Sequence, residues 1–189
     1  MREVFRKLVH ILFGLAIAVM VLLVDRTVAI SVLVLGLFFG VILVDLIHRG
    51  CHIPIFSALV AYADRGDCLP GKGALYFAVG ALTIVILFPV QAAVPALVTV
   101  AVLDGVATMV GVRYGQHRIA NGKSLEGSAA AILITALFLF PFLTIPGVVI
   151  VAVLAGLIEL LSPIDDNLVI PVAVSLLLTL VPALILATG

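Results

Sequence analysis

Residues 91–112 read QAAVPALVTVAVLDGVATMVGV, an apolar run with a single acid, Asp104, inside it. About 20 apolar residues at a rise of ~1.5 Å cover the ~30 Å hydrocarbon core of a bilayer, so a run of this length reads as a membrane span. Asp104 precedes Arg113 by about nine residues, which puts it roughly 13 Å into the bilayer from that end. A carboxylate at such depth is costly unless it is paired, hydrated or bound to a cation.

The rest of the chain agrees with this reading. Of its 189 residues, 65% are hydrophobic and 11% charged, and mean hydropathy is +1.43; soluble domains are roughly half apolar and a quarter charged. Apolar runs bounded by charge, Gly or Pro predict seven helices, at about 8–24, 27–47, 73–90, 91–112, 125–145, 146–163 and 167–188. The expected architecture is an all-α, polytopic membrane helix bundle of about seven transmembrane helices, one catalytic domain over 1–189. Arg2 to Lys7 followed by Leu8 to Val24 superficially resembles a secretory signal. Ala16-Ile17-Ala18 falls inside the apolar run rather than after it, so a retained first span is expected.

Charge is unevenly placed. With the N-terminus cytoplasmic, the inner side carries Arg2, Arg6, Lys7, Arg49, Arg65, Lys72, Arg113, Arg118 and Lys123, and the outer side only Arg26, as the positive-inside rule requires. Glu126, Glu159, Asp165 and Asp166 fall at inner helix ends, and Asp45, Asp64 and Asp67 flank the inner loop His48–Lys72. That loop holds an apolar insert, Ile53 to Ala63, too short to span and suited to the interface or to re-entry. Net charge is zero, which offers no argument for a nucleic-acid partner. Cys51 and Cys68 are expected as free thiols in the cytoplasm; with His48 and His52 they match no standard zinc spacing. Asp45 and Arg49, four apart, read as a helix-end ion pair. Gly36-x3-Gly40 and Gly111-x3-Gly115 read as close-packing positions, the first of them serving an internal contact or a homodimer.

Four groups of residues carry chemistry or imitate it. Asp104, Thr108, Gly111 and Gly115 follow i, i+4, i+7 and i+11, so one helix face offers an acid, a hydroxyl and two gaps; the acid is either a structural partner of a base or a metal ligand or proton acceptor in a wet cavity. Lys123-Ser124-Leu125-Glu126-Gly127-Ser128 opens a helix, with a capping serine, free N–H groups, a permissive glycine and a cation, an arrangement that suits phosphate. It is equally an ordinary capped start with a snorkelling lysine, and its glycine spacing is not that of a Walker motif. Asp165-Asp166-Asn167, preceded by Glu159, is a helix cap or, with Asp104, a site for a hard cation such as Mg²⁺. Arg6, Lys7 and His10 are a positive-inside anchor or a clamp for nucleotide phosphates. A buried acid, a phosphate-ready helix start, a second acidic cluster and a basic entry at one face point to phosphoryl or nucleotidyl transfer to a lipid headgroup.

The same residues carry a family resemblance. Arg6-Lys7-x2-His10, Asp104-Gly105 with Gly111 and Gly115, Lys123-Ser124-Leu125-Glu126-Gly127-Ser128 and Asp166-Asn167-x3-Pro171 resemble, in order, the motifs of the dolichol kinase, phytol kinase and CTP-dependent diacylglycerol kinase family, related to the CTP:phosphatidate cytidylyltransferases. The resemblance implies transfer of the γ-phosphoryl of CTP to a membrane lipid alcohol, most simply a polyprenol or dolichol-type alcohol, with a divalent cation such as Mg²⁺. It implies catalysis by Asp104 and Lys123, metal at Asp104, Asp166 and Asp165, and nucleotide or phosphate contacts by Arg6, Lys7, His10, Arg113, Lys123, Ser124, Glu126, Gly127, Ser128 and Asn167. The protein would sit in the cell membrane, or the endoplasmic reticulum membrane of a eukaryote, with its site facing the cytoplasm. The C-terminal signature of the cytidylyltransferases, a Lys-Asp pair followed by His-Gly-Gly and Asp-Arg, is absent, which favours a kinase over a CDP-lipid synthase. A small transporter is the non-enzymatic alternative, with Asp104 as a coupling-ion site; the bare outer half speaks against it.

Overall fold

The computed structural model describes residues 2–53, 71–119 and 122–186. Among these are seven α-helices and no strand: α1 (Arg2–Leu23), α2 (Arg26–His48), α3 (Lys72–Leu87), α4 (Val90–Tyr114), α5 (Leu125–Leu139), α6 (Ile145–Leu161) and α7 (Asp166–Leu180), followed by a 3₁₀ turn, Pro182–Leu184. The apolar insert of the inner loop beyond Ile53, with Asp64, Arg65, Asp67 and Cys68, lies outside the described residues.

All seven expected helices form, but not at the expected lengths. Three of them, α1, α2 and α4, are long and apolar enough to cross a membrane. The other four are apolar helices of 15–17 residues, about 22–26 Å long and short of the ~30 Å hydrocarbon core. Local chemistry shortens them. α5 stops at Leu139, ahead of Pro141, and α7 stops at Leu180, where Pro182 holds Val181 out of helical geometry. The two stops are then tied together: Thr144 N–H donates to Leu184 O (2.9 Å) and Leu186 N–H to Phe142 O (3.0 Å). Pro89 likewise ends α3, with Phe88 extended before it, and opens α4.

α4 is the axis of the molecule. It packs against α1, α5 and α7, and from Ala92 to Leu103 every residue is buried. Alanines at 92, 93, 96 and 101 allow this, because small side chains let neighbouring backbones approach closely. Gly14 of α1 is a contact of this kind, since a Cβ there would lie 2.5 Å from that of Ala101. α2 is peripheral and packs on α3. Arg26, expected from the sequence at the outer side, donates to Val85 O (3.0 Å) and Ile86 O (2.5 Å), so it caps carbonyls that the end of α3 leaves without partners.

Candidate active site

The start of α1, the C-terminal half of α4, the start of α5, the end of α6 and the start of α7 meet around a cavity of about 260 Å³. Its walls include Lys7, Asp104, Thr108, Lys123, Glu159 and Asp166. Two lysine–carboxylate pairs dominate it. Lys7 of α1 donates to Asp104 Oδ2 of α4 at 2.5 Å, with both side chains largely buried. Lys123, just before α5, donates to both oxygens of Asp166 on α7, at 3.0 and 2.7 Å, and also to the backbone carbonyl of Glu159 on α6. A buried carboxylate is tolerated when a cation neutralises it and hydrogen bonds satisfy it, so the cost of Asp104 is offset by Lys7.

The Lys123–Ser128 segment is held in place by close packing. Ser124 Oγ accepts from Gly127 N–H at 3.2 Å, the expected cap. A Cβ on Gly111 would lie 2.8 Å from Ser124 Oγ, and one on Gly127 2.5 Å from Ala107 O and 3.1 Å from Gly111 Cα. The Gly111-x3-Gly115 spacing thus makes room for the capping serine, and Gly127 lets α5 close on α4. Gly122, at φ +74°, turns the chain into Lys123.

Several expected contacts take other roles. The N–H groups of Leu125 and Gly127 do not point out free for phosphate: Leu125 N–H donates to His117 O at 3.0 Å and Gly127 N–H to Ser124, because residues 115–119 fold back on the helix start. Glu126 clamps that loop, accepting from Gln116 N–H (3.1 Å) and His117 N–H (3.1 Å) and lying 2.6 Å from His117 Nδ1. Ser128 Oγ donates to buried Glu159 Oε2 at 2.6 Å. Asp165 caps α7, accepting from Asn167 N–H (3.1 Å) and Nδ2 (3.0 Å). Arg6 pairs with Glu3 at 2.6 Å, and Arg113 lies over the Tyr114 ring, 5.6 Å from its centroid; neither lines the cavity. His10 Nε2 is 3.5 Å from Asp104 Oδ2 and its ring meets Phe77 edge-on.

Arg118 also lines the cavity. Arg118 reaches the cavity because its backbone pairs with Ser124, while its guanidinium donates to Gly122 O at 2.8 Å. Nothing local in the sequence marks it, since the pairing depends on how the loop closes. Asn167 Oδ1 and Arg6 Nε are buried without a protein partner.

Among the described residues no three His, Cys, Asp or Glu side chains cluster as a metal cage, and that holds for His48, Cys51 and His52; Cys51 is a free, exposed thiol. Asp165, engaged in its cap, does not line the cavity. Asp104 and Asp166 do, and hard oxygens from two carboxylates fit a Mg²⁺ that takes its remaining ligands from phosphate and water.

One curated relative, the uncharacterized protein MJ1137 of Methanocaldococcus jannaschii, is 35% identical over 183 residues, covering 94% of this chain and 93% of that protein. No family model matches the chain, and no solved structure does.

Proposed function

The chain belongs to the same family as the M. jannaschii protein, and we propose that its polar cavity is the active site of a CTP-dependent kinase acting on a membrane lipid alcohol, most simply a polyprenol or dolichol-type alcohol. The observation that carries this reading is the meeting of Lys7–Asp104 and Lys123–Asp166 in one cavity at one end of the helices. These residues lie far apart in the chain, and all belong to the stretches that resemble motifs of the lipid kinases.

In this reading Lys7, Lys123 and Arg118 exchange their present partners for phosphate oxygens, which charge-assisted hydrogen bonds favour. Asp104 accepts the proton of the lipid hydroxyl. The hydroxyl oxygen bonds to the γ-phosphorus as the bond to the β–γ bridging oxygen breaks, and CDP leaves with that electron pair. Mg²⁺, held by Asp104 and Asp166 together with phosphate oxygens, would neutralise charge on the transferred group. Glu159, on the cavity wall, holds Lys123 through its carbonyl, while Ser128 and Glu126 steady Glu159 and the loop from outside the cavity lining.

The same reading includes the membrane topology. α3, α5, α6 and α7 complete their crossings with flanking turns, giving seven spans with the cavity on the cytoplasmic side, toward which the positive-inside count points. The cytidine base follows from the resemblance. The test is transfer: purified protein with Mg²⁺, γ-labelled CTP or ATP, and polyprenols, phytol, geranylgeraniol and diacylglycerol. Label on a polyprenol, from CTP in preference to ATP, is expected. Release of the label as pyrophosphate would mean nucleotidyl transfer instead, and label retained on CTP with every acceptor would overturn the proposal.

A further inference from the structure

A second cavity lies on the same helices. It encloses about 370 Å³ between α1 and α5, with α4 as its floor, and its walls include Leu15 and Val19 of α1, Val94 and Val98 of α4, and Leu137 and Phe138 of α5. All of its lining is aliphatic, aromatic or proline. It exists because α1 and α5 both pack along α4 but share no extended contact with each other.

Its position relative to the polar cavity is the informative feature. Val94, Val98, Ala101, Gly105 and Thr108 recur at spacings of four and three, which is one face of α4. The first two line the apolar crevice and the last lines the polar cavity. Ala101 and Gly105 between them are covered by Gly14 and Ile11 of α1. A chain running from one cavity to the other therefore follows the α5 edge, where Ile134 and Leu137 are exposed. Thr108 and Val98 stand ten residues apart, about 15 Å along the helix. Together the two cavities match an amphiphile, with a small polar end among the lysine–carboxylate pairs and a hydrocarbon tail beyond it. With a methylene close to a water in size, about 30 Å³, a crevice of about 370 Å³ holds on the order of a dozen carbons, a length suited to part of one isoprenoid chain.

We infer that the α1–α5 crevice binds the single hydrocarbon chain of a lipid alcohol whose hydroxyl lies in the polar cavity, and so selects one-chain over two-chain acceptors. This rests on the lipid-alcohol reading of the polar cavity. It adds a second set of residues, Val19, Val98 and Leu137 among them, that governs which alcohol is used.

The test needs no nucleotide. Purified full-length protein in nanodiscs is irradiated with a diazirine-bearing geranylgeraniol, and labelled peptides are mapped by mass spectrometry. Labelling is expected on the segments holding Val19 and Leu137, competed by unlabelled geranylgeraniol and not by diacylglycerol. Val19→Trp fills the crevice from an exposed position, 53% accessible, and should cut that labelling about tenfold. Val32→Trp, on the exposed face of α2, should leave it unchanged. Equal labelling of the α2 face, competition by diacylglycerol, or indifference to Val19→Trp would each overturn the inference. Crevice labelling in a protein that transfers no phosphate supports chain binding while the kinase reading falls. Phosphorylation with labelling elsewhere removes the crevice and leaves the kinase.

Discussion

α2 and α4 are nearly the same length, 23 and 25 residues, and the more apolar of the two is the one on the outside. α2 exposes Val28, Val32, Leu35, Phe38, Phe39 and Ile42, and a Cβ on Gly36 would meet nothing within 4 Å. α4, with its threonines, its proline and Asp104, is enclosed from Ala92 to Leu103. In lipid the apolar residues need no protein cover, because hydrocarbon solvates them as well as a core does. What must be enclosed is the polar group, together with the small residues that let helices close around it. The helix with the acid is therefore at the centre, and substitutions in α4 should matter far more than those in α2.

The largest contrast is expected at Asp104. Asp104→Asn removes the proposed proton acceptor and should lower the proposed transfer to a lipid alcohol by about 100-fold or more, while also leaving Lys7 without its counter-charge. Breaking one partner of a buried pair costs about 3–5 kcal/mol, so lost activity in the single variant has two sources, chemistry and instability. The double variant Lys7→Met with Asp104→Asn separates the two effects. A pair that is merely structural would give back thermal stability in detergent and activity together; a catalytic pair gives back stability only.

Next comes Gly127, where α5 closes on α4. Gly127→Val would press a side chain against Ala107 O and Gly111 Cα, and overpacking of this kind costs about 1–3 kcal/mol. Thermal unfolding in detergent should show the loss, and a Gly127→Ala variant should fall between the two. Equal melting temperatures for all three would mean that the α4–α5 approach is looser than described.

What the sequence made legible follows the same division. Asp104 stood out because an acid in an apolar run has few explanations, and the seven helices stood out as runs. Its partner did not: Lys7 lies 97 residues away, and the positive-inside rule already accounted for it. Hydropathy continues past the stops at Leu139 and Leu180 and so hides them, while the prolines and the Thr144–Leu184 and Leu186–Phe142 hydrogen bonds set where the helices end. Glu126 reads from the sequence as a phosphate contact, and an acid three residues into a Lys-Ser-x-Glu motif carries no local sign of the partners the fold gives it, the backbone N–H groups of Gln116 and His117. Arg118 was read only as topology for the same reason.

That clamp gives a smaller effect. Glu126→Gln weakens the hold on the 115–124 loop without touching the cavity, so activity should fall several-fold, less than for Asp104→Asn, with no change in helix content by circular dichroism. Limited trypsin digestion in detergent should cut faster after Arg118 and Lys123 than in the unaltered protein. An unchanged cleavage rate would show that the loop is held by its backbone pairing alone.

The smallest effect belongs to α2. Gly36→Leu adds a side chain where the structure leaves open space, and surface changes of this kind stay within about 0.5 kcal/mol. Melting temperature and transfer activity should therefore be indistinguishable from the unaltered protein. Sedimentation in matched-density detergent is the sharper measurement, since Gly40 lies against Leu75 of α3 while Gly36 faces open space and remains free to pair two copies. If the leucine halves the particle mass, α2 is a dimer face and its exposure is only apparent. If the mass is unchanged, α2 meets lipid alone, and the rule that apolar helices go outward while polar ones go to the centre holds across the whole bundle.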